Sequence, residues 1–266
     1  MNVHSFPSLS KPLPKMDILG VPVAALRWKE AIDVLTACLR ERRFTPVGFL
    51  NAHNANVACG DDEFAGSLDG FLVLPDGVGV DVAANWIHGR AFPDNLNGTD
   101  FVPALIASHP GGLKVALLGA TRENAGGAAE GLALLAPQHD YRVIHDGYFK
   151  PEQEAGILAD IAAYRPDILL VAMGVPRQEL WIDRNLTAAH CTMPIAVGAL
   201  LDFLSGSVPR APLWIRRLRL EWLFRLWIEP GRLWRRYIVG NPLFLGRVLA
   251  QKLGLVRYGR KPSGHE

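Results

Sequence analysis

The run Leu72-Val-Leu-Pro-Asp76-Gly-Val-Gly79 sets a carboxylate at the end of an apolar strand candidate, with two glycines after it. A carboxylate so placed suits a general base, and glycines let a backbone or ligand approach closely. Pro-Asp-Gly is also ordinary turn chemistry, in which Asp76 would cap a helix starting at Val78. In Ala172-Met-Gly174-Val-Pro176-Arg-Gln178-Glu179 a second apolar strand runs into a glycine, then a proline suited to a first helical turn. Free amides at such a start can hold a phosphate or a carbonyl, and Gln178 and Glu179 then face the same mouth as Asp76. A plain strand-to-helix turn, with Glu179 as a favourable first-turn charge, accounts for the same residues.

Two more segments follow strand candidates. Leu118-Gly119-Ala-Thr-Arg-Glu-Asn124 offers a glycine for diphosphate approach at Gly119 but lacks the second and third glycines of GxGxxG, so it supports a nicotinamide dinucleotide only weakly. It also lacks the GxxxxGK of a P-loop. The polar run Asn51, His53, Asn54, Asn56 supplies donors and acceptors suited to sugar hydroxyls or a uracil edge, or else a hydrogen-bonded helix start. The eight histidines form no HxxxH or HExxH, and no DxD stands at a strand end, so no metal site is expected. With no GxSxG and no Ser-His-Asp order, a hydrolase fits poorly.

These segments must be positioned by alternating strands and helices. Strand candidates are Met16–Leu26, Val47–Leu50, Phe71–Leu74, Lys114–Leu118, Arg142–His145, Ile168–Ala172 and Ile195–Val197. Several are short and wholly apolar, as burial on both faces requires. Helices are expected over Trp28–Arg42, Val78–His88, Asp100–Ser108, Glu123–Ala136, Pro151–Tyr164 and Arg177–Ala188. The pattern predicts an α/β, Rossmann-like, mainly parallel sheet flanked by helices, with ligands bound beyond the carboxyl ends of the strands.

At 266 residues with 49% hydrophobic and 20% charged residues, the chain can bury a large core, which excludes disordered or disulfide-stapled classes. Three scattered cysteines fit a reducing compartment. Residues 1–15 carry three prolines and no apolar core, and read as a flexible leader rather than an export signal. Residues 16–209 form the catalytic body, and the first 209 residues hold 15 basic against 23 acidic side chains. From Arg210 to Lys261 the balance reverses, with 13 Lys and Arg against Glu221 and Glu229. Four of the seven tryptophans, Trp214, Trp222, Trp227 and Trp234, lie in the same stretch. Cationic and aromatic together, residues 210–266 suit a helical appendage on an anionic membrane surface. Part of the aromatic stripe can instead pack on the body. Nucleic acid is not expected, because no recognised binding pattern accompanies the arginines. No apolar run reaches the roughly 18 residues of a membrane span.

Taken together, Pro75-Asp-Gly-Val-Gly79, Asn97-Gly98-Thr99-Asp100, Gly174-Val-Pro-Arg-Gln-Glu179, Arg210-Ala-Pro, Glu221-Trp-Leu-Phe-Arg225 and Glu229-Pro-Gly-Arg232 resemble the WecG/TagA/CpsF glycosyltransferases over about residues 16–240. The resemblance implies an inverting, metal-independent transfer of a hexose or N-acetylhexosamine from a UDP-sugar to a polyprenyl-diphosphate-linked sugar, in bacterial polysaccharide or glycoconjugate assembly. It places the chain in the cytoplasm, peripherally bound to the inner face of the membrane, with UDP-sugar as substrate and no cofactor. It makes Asp76 the base and sets Gln178 on donor or acceptor hydroxyls. It puts Arg225, Arg232 and Arg235 on the acceptor diphosphate and the membrane. Asn51, Asn56, Asn95, Gly98, Thr99, Asp100, Gly119, Gly174, Pro176 and Glu179 are expected to bind substrate. The chain departs from the family at Asn95, where many members carry arginine, and lacks a threonine common at the end of the second strand. The alternatives are a soluble Rossmann-type nucleotide-sugar or NAD-dependent enzyme and a non-catalytic membrane adaptor. The apolar tail is also compatible with a homo-oligomer.

Overall fold

The computed structural model describes residues 12–212, 214–215, 219–256 and 258. Six strands form one parallel sheet: β3 (Val47–Leu50), β4 (Leu72–Pro75), β5 (Lys114–Gly119), β6 (Asp140–His145), β7 (Ile168–Ala172) and β8 (Met193–Ala196), in the order β4-β3-β8-β7-β5-β6. All residues of β3, β4, β7 and β8 are buried, which is why these strands read as unbroken apolar runs instead of alternating ones. Successive residues still serve opposite faces. Val73, Leu118, Leu169 and Val171 join one core, while Leu72, Leu74, Leu117, Ile168 and Leu170 join the other.

Met16–Leu26, expected as one strand, is a hairpin of β1 (Lys15–Ile18) and β2 (Val21–Ala24), in a separate two-stranded sheet. Leu19 and Gly20 both take positive φ, 52° and 84°, the geometry of a tight two-residue turn. The helices agree closely with the spacing: α1 (Trp28–Arg40) buries Ala31, Leu35, Cys38 and Leu39, and α4 (Val78–His88) follows β4. The short α2 (Ala52–Ala58) is the hydrogen-bonded helix start that the Asn51 run allowed, and α3 (Asp62–Ser67) follows it, capped by Asp61. They are followed in chain order by α5 (Gly98–Ser108), α6 (Arg122–Leu135), α7 (Pro151–Tyr164), α8 (Arg177–Asn185) and α9 (Leu200–Leu204).

Most of the described basic segment is helical: α10 (Glu221–Ile228), α11 (Pro230–Trp234), a π-helical turn (Arg235–Val239) and α12 (Gly240–Lys252). Its last helix is built into the body. Phe244 and Val248 are fully buried in the core against α2 and α4, and Gly79 of α4 makes room for them, since a Cβ there would meet Ala52 at 3.3 Å and Phe244 at 3.7 Å. Asn56 Nδ2 donates to the Gly240 carbonyl at 2.7 Å, and Arg247 Nη1 donates to the Asn56 carbonyl and Oδ1 at 2.9 Å each. By contrast α10 buries none of its residues.

Candidate active site

A cavity of about 430 Å³ opens beyond the carboxyl ends of β3, β4, β5, β7 and β8. It lies where the chain's path across the sheet reverses, the position at which open α/β sheets bind ligands. Asn51, His53, Asp76, Gly98 and Thr99 line one half; Ala120, Tyr148, Gly174, Gln178 and Asp202 line the other, and Arg225 and Arg236 reach in from the basic segment.

Asp76 is held by the register of two strands. Leu50 pairs with Pro75, so Asn51 and Asp76 leave the sheet side by side, and the Asp76 amide donates to the Leu50 carbonyl at 2.9 Å. Asn51 caps α2 by accepting from the amides of His53 and Asn54, which leaves its Nδ2 to donate to Asp76 Oδ2 at 3.2 Å. The helix-cap reading of Asp76 fails, because the N-cap of α4 is Gly77, which receives no side-chain cap. The Asp76 carboxylate therefore faces the cavity. Burial pushes its pKa up, while the Asn51 hydrogen bond and the Arg236 and Arg225 charges pull it down and Asp100 pushes it up. The net shift is upward, which suits a carboxylate that takes up a proton.

Gln178 differs from the expectation of a side chain on sugar hydroxyls. Its Oε1 accepts from the amides of Gly174 at 3.2 Å and Gly198 at 3.0 Å, and its Nε2 donates to Glu179 Oε1 at 2.8 Å. It pins two turns at positive φ, 79° and 56°, that form the cavity wall. The Gly174 amide, expected to be open to an anion, is thereby occupied. Pro176 is the N-cap of α8.

Glu179 is 2% exposed, and burial raises its pKa to about 7, the Gln178 bond opposing the shift. Because the folded pKa lies above the ordinary 4.5, the fold is favoured below that value and loses stability as pH rises through 7, by up to about 3 kcal/mol from this group. Glu179→Gln keeps an acceptor for Gln178. It is expected to melt several degrees higher than the parent at pH 8 and at nearly the same temperature at pH 4.5, as thermal denaturation at the two pH values will test.

The remaining expected residues divide. Gly98 and Thr99 line the cavity at the start of α5, where a Cβ on Gly98 would stand 3.0 Å from the Phe49 ring. Asp100 is drawn away by Arg210, whose Nη1 donates to its Oδ1 at 2.9 Å, and Arg210 Nη2 lies 3.8 Å from Glu221. These contacts join the Asn97–Asp100 segment to α10. Gly119, at φ 128°, is glycine for packing: a Cβ would fall 2.3 Å from the Ala172 carbonyl oxygen. Asn56 is spent on α12, as above, and Asn95 Oδ1 accepts from the Gly77 amide at 2.8 Å. Arg235 is exposed beside the Trp234 ring, and the Arg232 side chain lies outside the described residues.

Arg236 and Tyr148 were not among the expected site residues, while His53 belongs to the polar run that follows β3. Arg236 lines the cavity in place of Arg235; the break at Glu229 between α10 and α11 means that no single helical period from Arg225 marks it. His53 lines the same wall, and burial followed by the Arg236 charge lowers its pKa to about 4, so it is neutral at physiological pH. Tyr148 contributes an exposed ring on the loop after β6. Among the described residues no group of three or more His, Cys, Asp or Glu side chains converges to hold a metal.

This geometry agrees with what the chain is similar to. The model of the Glycosyl transferase WecG/TagA/CpsF family matches residues 16–258. Similar curated proteins are the N-acetylglucosaminyldiphosphoundecaprenol N-acetyl-beta-D-mannosaminyltransferases of Bacillus spizizenii, 32% identical over 67% of this chain and 68% of that protein, and of Bacillus subtilis, 29% identical over 72% and 73%. A Staphylococcus aureus protein of the same name is 30% identical over 68% and 69%. With the match covering the sheet, the Asp76 turn and the basic segment alike, this chain belongs to the WecG/TagA/CpsF family of glycosyl transferases.

Proposed function

We propose that this chain transfers a hexose or N-acetylhexosamine unit from a UDP-sugar to a sugar carried on a polyprenyl diphosphate, by a single inverting displacement that needs no metal. The observation that carries the reading is Asp76, held by Asn51 at the floor of a cavity that Arg225 and Arg236 enter from above. Asp76 takes the proton of the acceptor hydroxyl as that oxygen forms its bond to the anomeric carbon. The bond from that carbon to the UDP oxygen breaks, and the electron pair leaves on the diphosphate. The two arginines meet the developing charge there, a task that a divalent ion performs in other transferases. Gln178 acts as a positioning residue, keeping the Gly174 and Gly198 turns in place around the donor.

The lipid-linked acceptor sets the location of the reaction. Trp227 is 87% exposed, Trp214 and Trp234 are also exposed, and Ile238 and Val239 add to the same segment. Among the described residues no helix is long and apolar enough to cross a membrane. An interfacial mode fits this surface: indoles and aliphatic side chains enter the headgroup region while the arginines meet anionic lipid. The chain thus works as a peripheral protein at the inner face of the cytoplasmic membrane.

The names of the relatives choose the first substrates to try. A panel of UDP-sugars led by UDP-N-acetylmannosamine is incubated with a short-chain polyprenyl-diphosphate N-acetylglucosamine and EDTA, and products are weighed by mass spectrometry. One donor is expected to add a single sugar to the acceptor at a rate unchanged by EDTA. Transfer that appears only when Mg²⁺ or Mn²⁺ is supplied would contradict the metal-independent reading, and nicotinamide turnover would replace it.

A further inference from the structure

We propose that Asn95 is a positioning residue for the base: through the Gly77 amide it fixes the turn that aims the Asp76 carboxylate. The inference rests on the reading of Asp76 as base. The turn after β4 has an improbable backbone. Gly77 sits at φ 94° and ψ 164°, a region open only to glycine, and glycine alone would leave the turn loose, because it pays the largest conformational entropy on ordering. Two bonds from the segment before α5 restrain it. Asn95 Oδ1 accepts from the Gly77 amide at 2.8 Å, and the Leu96 amide donates to the Pro75 carbonyl at 3.0 Å. Leu96 itself is fully buried, so the segment that carries Asn95 is anchored in the core.

Asp76 lies between these bonds. On its other side the Asp76 amide is tied to Leu50 and its carboxylate to Asn51. Main chain is therefore clamped on both sides of the carboxylate, and Asn95 supplies the side-chain member of the clamp. Loss of that acceptor frees the residue next to the base while leaving the cavity lining, the arginines and Asn51 in place. The charged groups that bear on Asp76 are Arg225 and Arg236 from the basic segment and Asp100 from α5, and none of them is moved by the change.

The test compares Asn95→Ala, Asn95→Asp and Asp76→Asn for kcat, KM for the UDP-sugar, melting temperature and rate against pH. A misplaced catalytic group costs on the order of 10²-fold. Asn95→Ala is expected to lose about ten- to hundredfold in kcat, with donor KM and melting temperature close to the parent values. Asn95→Asp keeps an acceptor for the Gly77 amide and is expected to recover most of the rate. Its added carboxylate beside the turn should move the acidic limb of the profile to higher pH. Three results overturn the inference: Asn95→Ala with parental kcat while Asp76→Asn is inactive, a loss in Asn95→Ala carried by KM, or an Asn95→Asp as slow as Asn95→Ala. Full activity in Asp76→Asn overturns the base reading itself, and the inference with it.

Discussion

Asp76→Asn is expected to lower kcat by about 10²- to 10⁴-fold, the range that a positioned general base supplies, with little change in UDP-sugar affinity. Asparagine has the shape of aspartate, and its side-chain oxygen can still accept from Asn51 Nδ2, now 3.2 Å from Asp76 Oδ2. The loss therefore reports the missing proton acceptor and not a rearranged turn. Steady-state rates with saturating donor, together with titration of UDP binding, separate the two. The parent should also show an acidic limb, because Asp76 must be ionised to accept a proton. Arg236 and Arg225 hold the Asp76 pKa down against its burial. Removing either should thus shift the limb to higher pH, and Asn51→Ala should do the same by deleting the hydrogen bond.

Replacing both Arg225 and Arg236 with alanine is expected to cost at least about 10²- to 10³-fold in kcat, comparable to removing a preorganised donor aimed at developing negative charge. UDP leaves carrying charge on its diphosphate, and these are the two arginines of the basic segment that line the cavity. Arg225 is held with its guanidinium 5.1 Å from the Phe203 ring, so its position does not depend on a bound ligand. Arg225→Lys keeps the charge but not the planar fork that meets phosphate oxygens in pairs, and should recover only part of the loss. A second expectation separates this role from membrane binding: the double variant should still sediment with anionic vesicles, because the other basic and aromatic residues of the segment remain. Loss of vesicle binding in step with activity would assign the arginines to the membrane instead.

The parallel sheet was legible because strands buried on both faces leave unbroken apolar runs, and α4 and α7 begin and end where periodicity and Pro151 place them. The hairpin at Leu19-Gly20 was not, since the apolar pattern runs straight through the turn. In the site, Asp76 was legible from a feature that is local in sequence, a carboxylate at a strand end. Asn56, Gln178 and Asn95 were identified as site positions, but the hydrogen bonds each makes within the protein were not foreseen. Each forms its hydrogen bonds with residues distant in the chain or with a backbone amide of a neighbouring turn, and no local pattern encodes those contacts. Arg236 lines the cavity where Arg235 was expected, and both lie in the π-helical turn Arg235–Val239, whose irregular winding no sequence period encodes. Asp100 shows the same limit, its carboxylate being engaged by Arg210 from beyond α9.

The most direct test of the account is the anomeric configuration of the new glycosidic bond, read by NMR of the product formed with EDTA present. A single displacement with Asp76 as base predicts inversion, an α-linked UDP-sugar giving a β-linked product. Retention would contradict it, since that outcome requires either a covalent intermediate, with Asp76 as a nucleophile, or attack from the face that the diphosphate leaves.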